Sequence, residues 1–293
     1  MTRGIISLVR LNCQNSIKLA KAINSPIITI PIYDLISRNS GKPNKIYHKI
    51  KSSGGIHAFL NYNGNIILSL IMRDEVIWKF SPEKYAEIIN GIKPNFYTTV
   101  DGGTYQKQDK DSMEELVRLS TETKELLDLC PGIKPIGHVK GCNSVQIKLH
   151  LNFLKKLGIN LFLFHVGDFF RNGDENVIQQ AKHFCSLIKN EENTLLVYGL
   201  GSPKRMLEFS FCDLFITYSH FVNAKHRIIF RGSKRYKSNN LPVYEAALHN
   251  FKEFSSYLKN LSYQTKLFTG GNCKWEEAQQ EVSFVLQNPR ARN

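Results

Sequence analysis

The chain has 293 residues, 42% of them hydrophobic, and a formal net charge of +14. That length suits one large α/β domain or two small ones with a real core, and the longest apolar runs, residues 65–72 and 161–166, are too short to cross a bilayer. The cationic surplus points to a polyanionic partner, nucleic acid before any other, with solubility as the plain alternative.

In chain order, the opening MTRGIISLVRLNCQNS has a weak apolar stretch and no small-residue cleavage site, and it reads as mature cytoplasmic sequence. Residues 26–33 (PIITIPIY) and 65–72 (NIILSLIM) read as strands. Ser81-Pro82-Glu83 starts a helix that Gly91 is expected to close. Residues 95–100 (NFYTTV) form a strand that ends at Asp101-Gly102-Gly103, and Ser112 with Glu115 has the spacing of a capping box for a helix to about Leu129. A strand over 133–139, a helix over 144–157 stopped by Gly158 and a strand over 160–166 follow. Then come a helix over 174–189, a strand over 194–198, a helix opened by Ser202-Pro203, a strand over 213–217 and a long helix over 241–259.

Near-continuous apolar strands alternating with helices predict a parallel sheet covered by helices. A closed (β/α)8 barrel and an open doubly wound sheet both satisfy the pattern, and the lack of GxGxxG after the first strand disfavours the dinucleotide-binding form of the latter. We expect a barrel domain over 1–262 and a tail over 263–293. The six cysteines are scattered, with no CxxC and no Cys/His zinc spacing, so reduced core thiols and no metal site are expected.

In a barrel, chemistry sits just past the strands, at the carboxyl face. The residues there are Ser69, Asp101, His138 with Lys140 and Gly141, Gly167 with Asp168, Gly199 with Gly201, and Ile216 with Thr217. Each alone is also ordinary β-to-α turn chemistry. His165, inside an apolar strand, reads as a core histidine. Between 223 and 240 stand Lys225, Arg227, Arg231, Lys234, Arg235 and Lys237, with Phe230 and Tyr236 interleaved and no acid. Such a segment tracks a phosphate backbone and stacks on bases, or is merely a solvated loop.

Several segments, in order over roughly residues 25–260, carry a family likeness. They are Gly54-Gly55-Ile56-His57-Ala58-Phe59-Leu60-Asn61-Tyr62, Ser81-Pro82-Glu83, the strand leading to Asp101, Gly137–Gly141, LFHVGD at 163–168, YGLGSP at 198–203, Asp213-Leu214-Phe215, and Leu248-His249-Asn250. Together they resemble the tRNA-guanine transglycosylases. The resemblance implies a TIM-like barrel, no cofactor, and exchange of guanine for a 7-deazaguanine through a carboxylate that attacks C1′. A second carboxylate acts as acid and base, and the target base is turned out of its stack.

On this alignment Asp101 holds the base edge, with Lys140, Gly141, Gly167 and Asp168 around the base. The 225–237 cations contact tRNA. The departures are as informative. Ile216 stands where the family has its nucleophile, Ser69 where it has the acid/base aspartate, and the zinc cysteines are missing although His249 fills the zinc histidine's place. Hydrocarbon cannot attack C1′, so base recognition without exchange is expected, as for the barrel of archaeosine synthase, whose signature PC-x3-KPY-x2-S-x2-H this chain lacks.

The resemblance therefore implies a tRNA- and base-binding subunit. It would have a partner subunit carrying an RNA-binding domain, or form a dimer, and would need no membrane. Two alternatives stay open. One is an active tRNA or DNA transglycosylase that draws on Asp101, Asp109, Asp168 and Asp213. The other is a small-molecule barrel enzyme, against which the basic segment argues.

Overall fold

The computed structural model describes residues 4–23, 25–37, 39–104, 109–170, 175–190, 192–238 and 240–269. Eight parallel strands close into a barrel: β1 (Gly4–Leu8), β2 (Ile27–Pro31), β3 (Asn65–Ser69), β4 (Phe96–Thr98), β5 (Lys134–His138), β6 (Leu161–His165), β7 (Thr194–Tyr198) and β8 (Leu214–Thr217). Each strand pairs with the next, and β8 closes on β1 in the register Gly4↔Leu214 to Ser7↔Thr217. The helices around them are α1 (Gln14–Ala22), α2 (Lys45–Ser52), α3 (Ile56–Leu60), α4 (Asp74–Ile77), α5 (Pro82–Ile92), α6 (Asp109–Leu129), α7 (Ser144–Lys156), α8 (Glu175–Ile188), α9 (Pro203–Glu208), α10 (Ser219–Lys225) and α11 (Val243–Thr269). This is a (β/α)8 barrel of the TIM type.

The strands are apolar without alternation because both faces are covered. Alternate residues fill the barrel interior as one cluster that includes Ile6, Leu8, Ile67, Phe96, Ile136, Leu161, Leu163, Leu196, Leu214 and Ile216. The intervening residues face the helices. Ile28, Ile30, Ile66, Leu68 and Tyr97 do so in the first half, and Phe162, Phe164, Leu195, Val197 and Phe215 in the second.

Three local expectations are corrected. Gly91 lies inside α5, which ends instead at Lys93 in a left-handed conformation (φ 54°). Ser112 and Glu115 are not a capping box, because α6 already begins at Asp109; both are buried within the helix, and Glu115 pairs with Arg118 at 2.6 Å. The first strand, β1, comes from the weak apolar stretch at the N-terminus. Its five residues acquire strand character only by pairing with β2 and β8.

Beyond β8 the basic segment folds as α10 followed by an antiparallel hairpin of β9 (Ile228–Arg231) and β10 (Lys234–Lys237). Helix α11 packs on α10, α1 and β9. It runs to Thr269, past residue 262, and the rest of the expected tail lies outside the described residues. Among the described residues, no helix is long and apolar enough to cross a membrane.

Candidate functional site

Asp101 lies just past β4 at the carboxyl end of the barrel, and it is 4% exposed. One carboxylate oxygen accepts from the Gly102 N–H at 2.9 Å and from Lys140 Nζ at 3.1 Å, and the other accepts from the Met72 N–H at 3.1 Å. Burial pushes the carboxyl pKa up. Lys140, His138 and the Met72 N–H together outweigh that and hold it below the usual value. Asp101 is thus an ionised acceptor whose partners come from the ends of three neighbouring strands.

His138, the last residue of β5, is fully buried with Nδ1 3.5 Å from Asp101. At that separation it is an electrostatic neighbour, and neither ring nitrogen makes a hydrogen bond. Burial lowers its pKa well below the ordinary histidine value, against the pull of Asp101, so the ring is neutral at pH 7. On α7, the His150 Nδ1 accepts from the Lys140 N–H at 3.0 Å, and burial pushes its pKa down to about 4.

Register and strand alternation carry this polar layer around the mouth. His138 pairs beside Leu163 and His165 beside Tyr198, with the His165 and Tyr198 rings edge-on at 5.0 Å. Gly141 has φ 153°, and a Cβ there would meet the Ile147 nitrogen at 2.8 Å, so only glycine lets the chain turn into α7. Gly199 (φ 101°) has the same constraint, because a Cβ would lie 2.8 Å from the Gly167 nitrogen. Gly167 therefore sits where the ends of β6 and β7 converge. The side chain of Asp168, in the turn Gly167–Phe170, lies outside the described residues.

A second polar group at the same end had no motif to announce it. Arg10, two residues past β1, holds Asp34 with Nε at 2.9 and 3.0 Å and Nη2 at 2.8 Å. Asp34 also accepts from the Leu11 N–H at 2.7 Å. The guanidinium stacks over Tyr33 at 4.7 Å. Arg10, Asp34, Tyr33 and Asp101 all act electrostatically on Tyr198, whose pKa is raised chiefly by burial. The signal available in the sequence was a charged residue a few positions past each of two apolar strands.

The remaining expected positions separate. Ile216 is fully buried in the barrel interior, registered beside Tyr198. Ser69 is fully buried at the end of β3. Asp213 precedes β8 and so lies at the opposite end of the barrel, paired with Lys189 at 2.9 Å and accepting from the Leu195 N–H. Asp109, at the start of α6, accepts from Cys142 Sγ and the Asn143 amide on the outer rim of the β5 end. The 54–62 segment lies before β3, where the His57 ring sits 2.9 Å from the Tyr62 carbonyl and the Asn95 amide oxygen. It is a brace at the amino end of the barrel. His249 donates from Nε2 to the Phe230 carbonyl at 2.7 Å, and Asn250 bonds both Phe230 N–H and the Ile228 carbonyl, so this pair clips the hairpin to α11.

On the hairpin, Phe230 is buried, while Arg231, Lys234, Arg235 and Lys237 are exposed, as are Lys225 and Arg227 before it. Arg231 stacks on Tyr236 at 5.3 Å and Arg235 on Phe230 at 5.7 Å. None of the six has a carboxylate partner among the described residues. Also among the described residues, no cluster of three His, Cys, Asp or Glu side chains could hold a metal ion.

The sequence matches no protein family model and no curated protein.

Proposed function

We propose that this protein binds tRNA and a 7-deazaguanine base within it, as a transglycosylase-like subunit of tRNA modification that lacks the exchange nucleophile. The observation that carries the reading is the ionised, buried Asp101 at the carboxyl face, with Lys140 and the neutral His138 beside it. A carboxylate fixed in this way accepts N–H groups from a planar base edge. A neutral imidazole, one nitrogen a donor and the other an acceptor, suits a base better than an anion. Reading a base requires Lys140 to swing off Asp101, and its side chain, 17% exposed, is the more accessible partner.

Two further features support the reading. The hydrocarbon of Ile216 occupies the interior position beside Tyr198, so no carboxylate from β8 is there to attack a ribose. The exposed cations of α10 and the hairpin follow β8 in the chain, as a tRNA-contacting segment would. The likeness to the tRNA-guanine transglycosylases and to the archaeosine-synthase barrel supplies the substrate class. It also supplies the expectation of a partner subunit bearing an RNA-binding domain. Gly167 and Gly141 line the proposed base slot where glycine lets the base approach the backbone; Asp168 belongs to it on the family likeness.

The test is binding of a labelled tRNA with and without the 7-deazaguanine across a salt series. We expect a steep fall of affinity with salt for both RNAs, and a preference for the modified one that Asp101→Ala abolishes. Incubation with tRNA and 9-deazaguanine is expected to trap no covalent adduct. An adduct would restore an active transglycosylase, and salt-independent binding with no retention of RNA would overturn the proposal.

A further inference from the structure

The basic hairpin is one part of a larger charged flank. No acidic residue precedes Asp34 in the chain, and none lies between Asp213 and Glu245. These two acid-free stretches are far apart in sequence, but β1 and β8 are neighbours in the barrel. Their helices join outside it. Leu19 of α1, Phe221 and Ala224 of α10, and Ala246 and Ala247 of α11 form one buried cluster, with Ile229 of β9 packed against it.

Exposed around that cluster are Lys18 and Lys21 of α1, Lys225 of α10, which sits over the Phe221 ring at 5.3 Å, and the hairpin cations. Among the described residues neither Lys18 nor Lys21 has an ion-pair partner. Between α1 and the first turn of α11 lies an open groove of about 570 Å³ lined by Asn15, Lys18, Lys21, Ala22 and Tyr244. Glu245, beside Tyr244, is an exposed acid at this edge.

We infer that the α1–α11 groove is a second RNA-binding site, where Lys18 and Lys21 hold phosphates and Tyr244 stacks on an unpaired base. The groove is large enough for a nucleotide, one wall is cationic, and its aromatic ring is only partly buried. Stacking on an aromatic is tolerant of base identity, and two lysines with no carboxylate to neutralise them are free to replace counterions on a backbone. An RNA strand that crosses the hairpin and then α1 follows one positive surface around the β8–β1 seam. The inference rests on the RNA-binding reading above and adds a location that the 225–237 segment does not contain.

The test compares the native full chain with a Lys18→Gln/Lys21→Gln double variant, Tyr244→Ala and Tyr244→Phe, and with Arg231→Ala and Arg235→Ala as hairpin controls. The probes are a labelled tRNA transcript and a labelled single-stranded oligouridylate, titrated between 50 and 200 mM salt (on the order of the range over which such binding changes most). Lys18→Gln with Lys21→Gln is expected to weaken tRNA binding about tenfold at low salt and to flatten the log–log salt slope by about 1.5. Tyr244→Ala is expected to weaken oligouridylate binding by about fivefold to tenfold, and Tyr244→Phe to restore it. Circular dichroism and thermal melting should match the native protein for the exposed lysine pair; Tyr244 packs partly on the cluster, so Tyr244→Phe, which keeps the ring, serves as the fold control for Tyr244→Ala.

If the α1 and Tyr244 variants bind like the native protein while Arg231→Ala and Arg235→Ala weaken binding, the groove is not a contact and the inference fails alone. If the native protein shows no salt-dependent binding to either probe, the function proposed above fails with it.

Discussion

Two charged regions of this barrel are built on opposite principles. At the ends of β4 and β5, the buried Asp101 is answered by the buried His138 at 3.5 Å and by the part-buried Lys140 at 3.1 Å. Along α10 and the β9–β10 hairpin, six cations face solvent with no carboxylate partner among the described residues. A buried charge must be matched on the spot, because desolvation costs several kcal/mol per ion. An exposed cation needs no partner to be stable, so one left unmatched beside five others is available to something outside the chain. The buried cluster should therefore govern stability and selectivity, and the hairpin should govern affinity. Each half of that contrast has a measurement that breaks it.

The largest effect is expected at the buried cluster. Lys140→Met leaves an ionised carboxylate without its cation and should destabilise the fold by about 3 kcal/mol in urea unfolding. Adding Asp101→Asn should return much of that loss, the signature of a coupled pair. A Lys140→Met variant as stable as the native protein would show that the two side chains are not coupled.

A related effect follows from pH. His138 and His150 are held neutral by burial, with folded pKa values below the unfolded 6.5, His150 at about 4. His220, buried beside Ser7 at 3.2 Å, is pushed down to about 3. Below pH 6.5 the unfolded chain takes up protons that the folded chain refuses, so stability is full above that pH and falls as the solution becomes more acidic. For His150 alone the loss approaches about 3 kcal/mol at pH 4. Asp101 adds to acid lability at lower pH, because its depressed pKa contributes stability above 3.8 that is lost as pH falls through the folded value. Thermal melting between pH 7 and 4 reads this directly, and a flat profile would contradict the burial of these rings.

The hairpin should behave in the opposite way. Arg231→Ala or Arg235→Ala should leave stability within about 0.5 kcal/mol, weaken tRNA binding several-fold at low salt, and reduce the salt slope by about 0.7–0.9 each. The smallest effect on RNA binding is expected at Ile216, where Ile216→Val removes one methylene from the interior and should cost about 1 kcal/mol of stability with no change in RNA binding.

Much of the architecture was legible along the chain. The Thr194–Tyr198 strand coincides with β7, and the seven expected strands all form, because near-continuous apolar runs between turn residues mark strands covered on both faces. Asp101, Lys140 and Gly141 were identifiable as polar or glycine positions directly after such runs. The structure brings Asp101 and Lys140 together across 39 residues. Asp213 and Asp109 entered only as acids open to an active transglycosylase, and one lies at the opposite end of the barrel and the other on its outer rim.

Composition and hydrophobic period by themselves determined the class of this protein: parallel strands under helices, a cationic surface, and polar groups after the strands. Both are local properties, written wherever a strand must be covered or a charge left in water. Only the tertiary structure decided that the sheet closes, that the short β1 completes it, that Arg10 clamps Asp34, and that Lys18 and Lys21 share a flank with a hairpin some 200 residues away. The closure and the shared flank depend on β8 meeting β1, and the clamp on β1 lying beside β2, contacts to which no nearby run of residues points.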